Sequence, residues 1–397
     1  MRHPSIPLLF ASSLAMLAGP AAASGFRIPE VSVAGLGQAN AVVADDEAVG
    51  NFGYNNAGMA FHPGLRASAE AIAASTSISV NNAAGSFDSK QTAEYLPALY
   101  ATYRLQDRPL AIGLGINAPF GLSTDWPQGT FPAAGSGAPT LSEIRMVNVN
   151  PAIAYLIRPN LSLALGLNYY NVLSAKLNAV GADVEGSGSG FGGTLALLYS
   201  TERMNLGLQY RSRVKTDLDG DFTPSGGTTQ AASTQITFPD LVQAGIMYRI
   251  TPQWSAEFDL DWTRWSSFDQ LRIEGQGGTL ASDSNNWKDS LAYRLGTAYR
   301  LNDALILRAG YAYDTSGQPD EFFSPRIPDA DRHLLALGAG LNSGAWDLNL
   351  GLNYVLGQER IIDNPPPTST DLNGTSVFNG TYKNSALLYG LSLSRRF

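Results

Sequence analysis

The 397-residue chain has no cysteine and only three histidines, His3, His62 and His333. A disulfide framework, a thiolate nucleophile and a cysteine-ligated zinc are therefore excluded. Histidine-based catalysis and metal binding have almost nothing to work with, so neither an enzyme nor a cofactor is expected. Charge is scarce too. Asp, Glu, Lys and Arg make up 15% of residues, and a net charge of −8 argues against nucleic acid as a partner. After position 24 no apolar run reaches the ~18 residues of a transmembrane helix. What is abundant is glycine (41), tyrosine (17) and phenylalanine (16), which suits strands joined by tight turns.

Residues 1–23 read as a secretory signal peptide. Arg2 and His3 form a short basic region, residues 6–18 an apolar one, and Ala21, Ala22 and Ala23 a small-residue cleavage site. An exported chain without a helical span is secreted, periplasmic or an outer-membrane barrel.

The strands separate these classes. Leu161, Leu163, Leu165, Leu167 and Tyr169 alternate with Ser162, Ala164, Gly166 and Asn168. Trp346, Leu348, Leu350, Leu352, Tyr354 and Leu356 alternate with Asp347, Asn349, Gly351, Asn353, Val355 and Gly357. This is a period of two, with one leucine-rich face ended by Tyr or Trp. A lipid-facing band between aromatic girdles needs that face, and a polar or filled lumen needs the other. Short connections such as 106–108, 158–160 and 302–303 alternate with long ones near 81–90, 122–141, 179–189, 219–234, 276–288, 317–330 and 363–383. Seven long loops imply seven hairpins and a 14-stranded antiparallel transmembrane β-barrel over residues 65–397. A lumen of that width is not filled by strand side chains. The Gly-, Ala- and Asn-rich stretch at residues 24–64 shows no period and is expected to fill it as a hatch.

These residues resemble the FadL-type outer-membrane transporters of long-chain fatty acids and other hydrophobic compounds (the FadL/TodX-like family). The resemblance runs through Ser24-Gly25-Phe26, Gly35-Leu36-Gly37 and Ala44-Asp45-Asp46 to Ala118-Pro119-Phe120-Gly121-Leu122. It continues in Trp262-Thr263-Arg264-Trp265-Ser266-Ser267-Phe268, Trp287-Lys288-Asp289 and Arg326-Ile327-Pro328-Asp329. The terminal Phe397 resembles the recognition signal of such barrels. The resemblance implies a monomer in the outer membrane that takes up long-chain fatty acid by passive lateral diffusion and delivers it to outer-membrane lipid. Aromatic or alkane hydrocarbons by the same route, and a non-specific porin, are the alternatives. Two departures stand out. The family's hatch carries Asn-Pro-Ala where this chain has Asn55, Asn56 and Ala57, and the third external loop, near 179–189, is short, which puts a surface capture groove in doubt.

Candidate site residues follow. The resemblance implies that Phe26 reaches the internal ligand pocket; otherwise it is a plug-to-wall contact. A fatty-acid carboxylate calls for a cationic anchor, and Lys176, Arg272 and Lys288 are the candidates near the external half. In the third strand Gly113, Gly115, Asn117 and Pro119 share a face. The resemblance implies a kink there that opens the wall sideways; the alternative is inward glycines that make room for the plug. Glu257, Asp259, Asp261, Arg294 and Arg308 face inward and are expected to form a charge network holding the hatch, with Asp45 and Asp46 supplying or receiving partners.

Overall fold

Alternation persists along this chain because each strand meets two environments at once, one on each side of the pleat. The computed structural model describes residues 25–90 and 93–397; the expected signal peptide and Ser24 lie outside them. The alternation is carried by 14 antiparallel strands. They are β1 (Gly64–Asn82), β2 (Gly85–Asp88 and Ala93–Arg104), β3 (Leu110–Asn117 and Leu122–Asp125), β4 (Pro139–Arg158), β5 (Leu161–Ala179), β6 (Ala182–Ser200) and β7 (Met204–Arg211 and Val214–Pro224). The ring continues with β8 (Gln230–Phe238 and Leu241–Thr251), β9 (Trp254–Thr263 and Gln270–Gly275), β10 (Gly278–Ser284 and Ser290–Arg300) and β11 (Leu305–Asp314). It ends with β12 (Arg332–Ser343), β13 (Trp346–Gly357 and Arg360–Ile362) and β14 (Gly380–Arg396). Each strand pairs with its neighbour, and β14 pairs back onto β1 from Arg66↔Arg396 to Asn81↔Thr381. The sheet therefore has no open edge, which a bilayer requires.

The outer face is apolar. Leu165 is 61% exposed and Leu337 62%, while Ser162, Asn168 and Asn353 on the opposite faces are fully buried. So much exposed leucine is stable only against lipid. Tyr103, Tyr155, Tyr248, Trp254, Tyr299 and Trp346 ring the end that carries the short turns. Among the described residues no helix is long and apolar enough to cross a membrane.

Several expected loops are strand. Residues 85–88, 219–224, 230–234 and 278–284 all pair, and β5 and β6 meet at a two-residue turn at 180–181. These segments are rich in Gly, Ser, Thr and Asp. They stand beyond the apolar band, so they pair without the aliphatic alternation that marks a strand in lipid.

Residues 25–63 lie inside the ring. The short helix α1 (Val33–Leu36) packs against β1, β12, β13 and β14, and the 3-10 turn at Asn56–Phe61 packs against β2 to β6. Ser32 caps α1, its Oγ accepting from the Gly35 N–H at 3.0 Å. The wall admits this segment through missing side chains: a Cβ on Gly338 would lie 2.9 Å from the Gly37 Cα. Asn55 caps the 3-10 turn by accepting from the Ala57 N–H at 3.1 Å, and its amide donates to the carbonyls of Val43 and Leu197.

Asn56, which stands where the resembling family has proline, is fully buried. Neither polar atom of its side chain has a partner among the described residues, and its N–H reaches Gln209 Oε1 only at 3.4 Å. It is the first residue of the turn, where a missing N–H costs least. Removing two unsatisfied polar atoms is expected to outweigh that long contact. Asn56→Pro should therefore stabilise the protein by about 1–3 kcal/mol, seen as a higher temperature for loss of the compact band on a detergent gel. A lower one would show that the Gln209 contact dominates.

Candidate functional site

Strand β3 stops at Asn117 and resumes at Leu122. Pro119 lies in the gap and cannot donate to a ladder. Pairing of β2 with β3 ends at Leu99↔Ile116. Pairing of β3 with β4 breaks between Asn117↔Asn148 and Leu122↔Ile144. Beyond the break β2 and β3 meet again, the Lys90 N–H donating to the Asp125 carbonyl at 2.8 Å. The first residues of the inner segment take over the freed groups. Ile28 donates its N–H to the Pro119 carbonyl at 2.8 Å, and Gly121 donates to the Phe26 carbonyl at 3.0 Å. Arg27 and Phe120 thus face each other as an isolated β-bridge.

A cavity of about 650 Å³ occupies this break. Its wall includes Arg27, Glu30 and Arg332 from the lumen, and Tyr95, Leu99 and Leu173 from the outer surface. Tyr95 is 74% exposed, whereas Arg27 is 6% exposed, so one cavity borders both sides of the barrel wall. Of the residues expected to mark the opening, Asn117 and Pro119 flank the break. Gly113 and Gly115 lie before it on paired strand. A Cβ there would sit 2.6 Å and 2.8 Å from the Phe52 ring, so these glycines make room for the inner segment.

Phe26 sits among other rings. Trp265 is 4.7 Å away between centroids, Phe268 5.4 Å, Phe120 6.0 Å, and Phe238 and Trp287 6.2 Å. A second cavity of about 60 Å³ adjoins this nest, lined by Leu122, Ile144, Leu177, Leu218 and Ile236 among others. Its charged wall residues are Glu143, Glu185, Asp283 and Arg326. Arg326 is committed: it donates to Ser142 Oγ at 3.3 Å and to the Asn178 carbonyl at 2.9 Å, and lies 3.9 Å from Asp283.

The cationic anchor candidates do not converge on either cavity. Lys176 Nζ lies 3.7 Å from Glu185 Oε2, and Arg272 and Lys288 are exposed. The expected lumenal network divides by function. Glu257 accepts from the Ala44 N–H at 2.6 Å and Asp259 from the Val43 N–H at 3.0 Å, so both hold backbone. Asp261 accepts from Arg27 at 2.8 Å, Arg294 at 3.2 Å and Gln243 at 3.1 Å. Arg294 continues to Asp314 at 3.8 Å, and Arg332 reaches the same carboxylate at 3.0 Å. Arg308 stands apart from this chain and donates to Asn349 at 3.0 Å. Asp46 pairs with His62 at 2.9 Å rather than with an arginine. Burial, with Glu47 and Asp46 adding repulsion, raises the Asp45 carboxyl to about 6. Burial likewise pushes Asp329, in the loop before β12, up to about 6.

Arg27 is the site residue that sequence reasoning passed over. A signal was there, because it is the only Lys or Arg between residues 24 and 63. Trp265, Phe268 and Trp287 were visible as motif residues, but nothing in their spacing tells that their two chain segments close around Phe26.

Comparison with known proteins agrees with the fold. The chain is 27% identical over 441 residues to the long-chain fatty acid transport protein of Escherichia coli strain K12, covering 95% of this chain and 97% of that one. Its fold is similar to the crystal structure of a Pseudomonas aeruginosa FadL homologue, with a TM-score of 0.82 at 19% identity over 94% of this chain and 100% of that one. It is also similar to the Ralstonia pickettii toluene transporter TbuX, with a TM-score of 0.71 at 18% identity over 92% and 98% of the two chains. The family model for outer membrane protein transport proteins (OMPP1/FadL/TodX) matches residues 14–397. The chain belongs to that family of outer-membrane transport proteins.

Proposed function

We propose that this barrel takes up long-chain fatty acids by passive lateral diffusion and releases them sideways through the β3 break into outer-membrane lipid. The observation that carries the reading is the 650 Å³ cavity bordered by lumenal Arg27 and by lipid-facing Tyr95 and Leu99. A hydrophobic cargo has reason to leave by such a window. Moving a dozen methylenes out of water is worth on the order of 10 kcal/mol, and a sideways exit spares the cargo a water-filled pore. Residues 25–63 act as the hatch: they fill the lumen, and their first residues must shift to join the aromatic nest to the break. The barrel works as a monomer and carries out no chemistry on its cargo.

Uptake of labelled hexadecanoate by cells that lack their own importer tests the reading; background uptake would overturn it. A planar bilayer carrying the protein is expected to show no steady conductance, and an open channel would favour the porin alternative. Lys176, Lys288 and Arg272 are proposed as external contacts for the carboxylate. Since Lys176 and Lys288 are partly or fully exposed, alanine at either is expected to weaken fatty-acid binding only about 2- to 5-fold and to leave hydrocarbon binding unchanged. Unchanged fatty-acid affinity in both variants rejects the anchors.

The nest around Phe26 supports a second reading. Five rings surround it, and an apolar aromatic nest of this kind suits aromatic or alkane hydrocarbons. Competition of toluene against hexadecanoate for the purified barrel separates the two cargoes.

A further inference from the structure

Among the described residues three arginines line the cavity at the β3 break: Arg27, Arg145 and Arg332. Two are committed. Arg332 donates to Asp314 through Nε at 3.2 Å and Nη2 at 3.0 Å. The Arg145 side chain is 59% exposed and holds Glu143 at 3.0 Å. Arg27 differs. Its side chain is 5% exposed, its Nη2 donates to Asp261 at 2.8 Å, and its Nη1 is buried with no hydrogen-bond partner among the described residues. A buried guanidinium nitrogen without an acceptor is costly, and it lies where the cargo is read to pass.

Resting on the fatty-acid reading above, we propose that Arg27 is the residue that reads the cargo's carboxylate in the passage. A headgroup moving from the aromatic nest towards the break accepts from Arg27 Nη1 and relieves the unmet donor. Of the neighbouring acids, Asp261 takes only Nη2, which leaves Nη1 for the headgroup. Asp261 is already shared by Arg294 and Gln243, so it keeps two donors if Arg27 turns towards the cargo. Glu30, on the same inner segment, accepts from Asn40 Nδ2 at 3.1 Å. Because Arg27 follows Phe26 directly, one short stretch of backbone carries both the ring that meets the apolar tail and the cation that meets the acid. The site therefore selects a carboxylate over a neutral chain of equal length, and does so on the segment that pairs with Pro119 and Gly121.

The test compares hexadecanoate with its methyl ester, using the purified full-length barrel and an equilibrium binding assay. Arg27→Gln is expected to weaken hexadecanoate about 10-fold and to change the ester less than 2-fold. Arg27→Lys keeps the charge and is expected to restore most of the preference for the acid. Equal loss for acid and ester in Arg27→Gln, or no restoration by lysine, would show that Arg27 only holds the segment in place and overturns the proposal. Unchanged hexadecanoate binding in Arg27→Gln overturns it while leaving the fatty-acid reading intact. A wild-type barrel that binds the ester but not the acid overturns both.

Discussion

A disulfide between residues 27 and 120 is expected to bring uptake down to background, and reduction to restore it. The pair to build is Arg27→Cys with Phe120→Cys. Hydrogen bonds from Ile28 to Pro119 and from Gly121 to Phe26 flank these positions, which makes them a non-hydrogen-bonded antiparallel pair. In that geometry Cα atoms stand about 4.5 Å apart, within the ~4.4–6.8 Å that a disulfide spans. The natural chain has no cysteine, so the engineered pair has no rival partner. Both substitutions remove site side chains, and Arg27 is assigned to the acid, so the cargo to follow is a neutral hydrocarbon. The reduced variant sets the reference rate. If the proposed route is right, the cross-link pins the segment onto the break and closes it. Uptake that continues at the reduced rate after complete oxidation would show that cargo does not pass behind this segment.

Removing the Asp261 carboxylate is expected to have the largest effect on stability. Asp261 is 1% exposed and joins Arg27 on the inner segment to Arg294 on the wall. Alanine there leaves the buried Arg27 guanidinium without its carboxylate and Arg294 with Asp314 alone, at 3.8 Å. Breaking a buried pair from one side costs about 3–5 kcal/mol, so Asp261→Ala should unfold at markedly lower guanidinium chloride concentration than the wild type. The control is Glu359, whose partner Lys383 is 65% exposed and which is itself 49% exposed. Glu359→Ala should cost about 1 kcal/mol or less. Equal midpoints for the two variants would mean that water reaches Asp261 and screens it.

The barrel was legible in the sequence where lipid imposes a rule. Leu161 to Tyr169 and Trp346 to Leu356 alternate because one face must be apolar, and the strand count follows from the spacing of such segments. Beyond the lipid the rule lapses, and the Gly- and Ser-rich end of β6 read as loop although it pairs with β7. The lumenal carboxylates show the same limit. Alternation placed Glu257, Asp259 and Asp261 on the inner face correctly. It could not tell that the first two take backbone amides while the third takes arginines, since those partners lie more than 200 residues away for Glu257, Asp259 and the Arg27 pair. Gly113 and Gly115 carried two meanings, and only their position against Phe52 separates room for the inner segment from a break in the wall.

The way the wall grips the inner segment bears on how such transporters diversify. Glu70 accepts from the Val33 N–H, Asp259 from Val43, Glu257 from Ala44, and Asn205 donates to the Ala44 carbonyl. These contacts read peptide groups, which every residue but proline supplies in full. Mutations that exchange the side chains of Val33, Val43 or Ala44 for others of similar size leave the grip untouched. The inner segment can thus accumulate substitutions and be retuned for a new cargo while its docking to an unchanged wall is inherited.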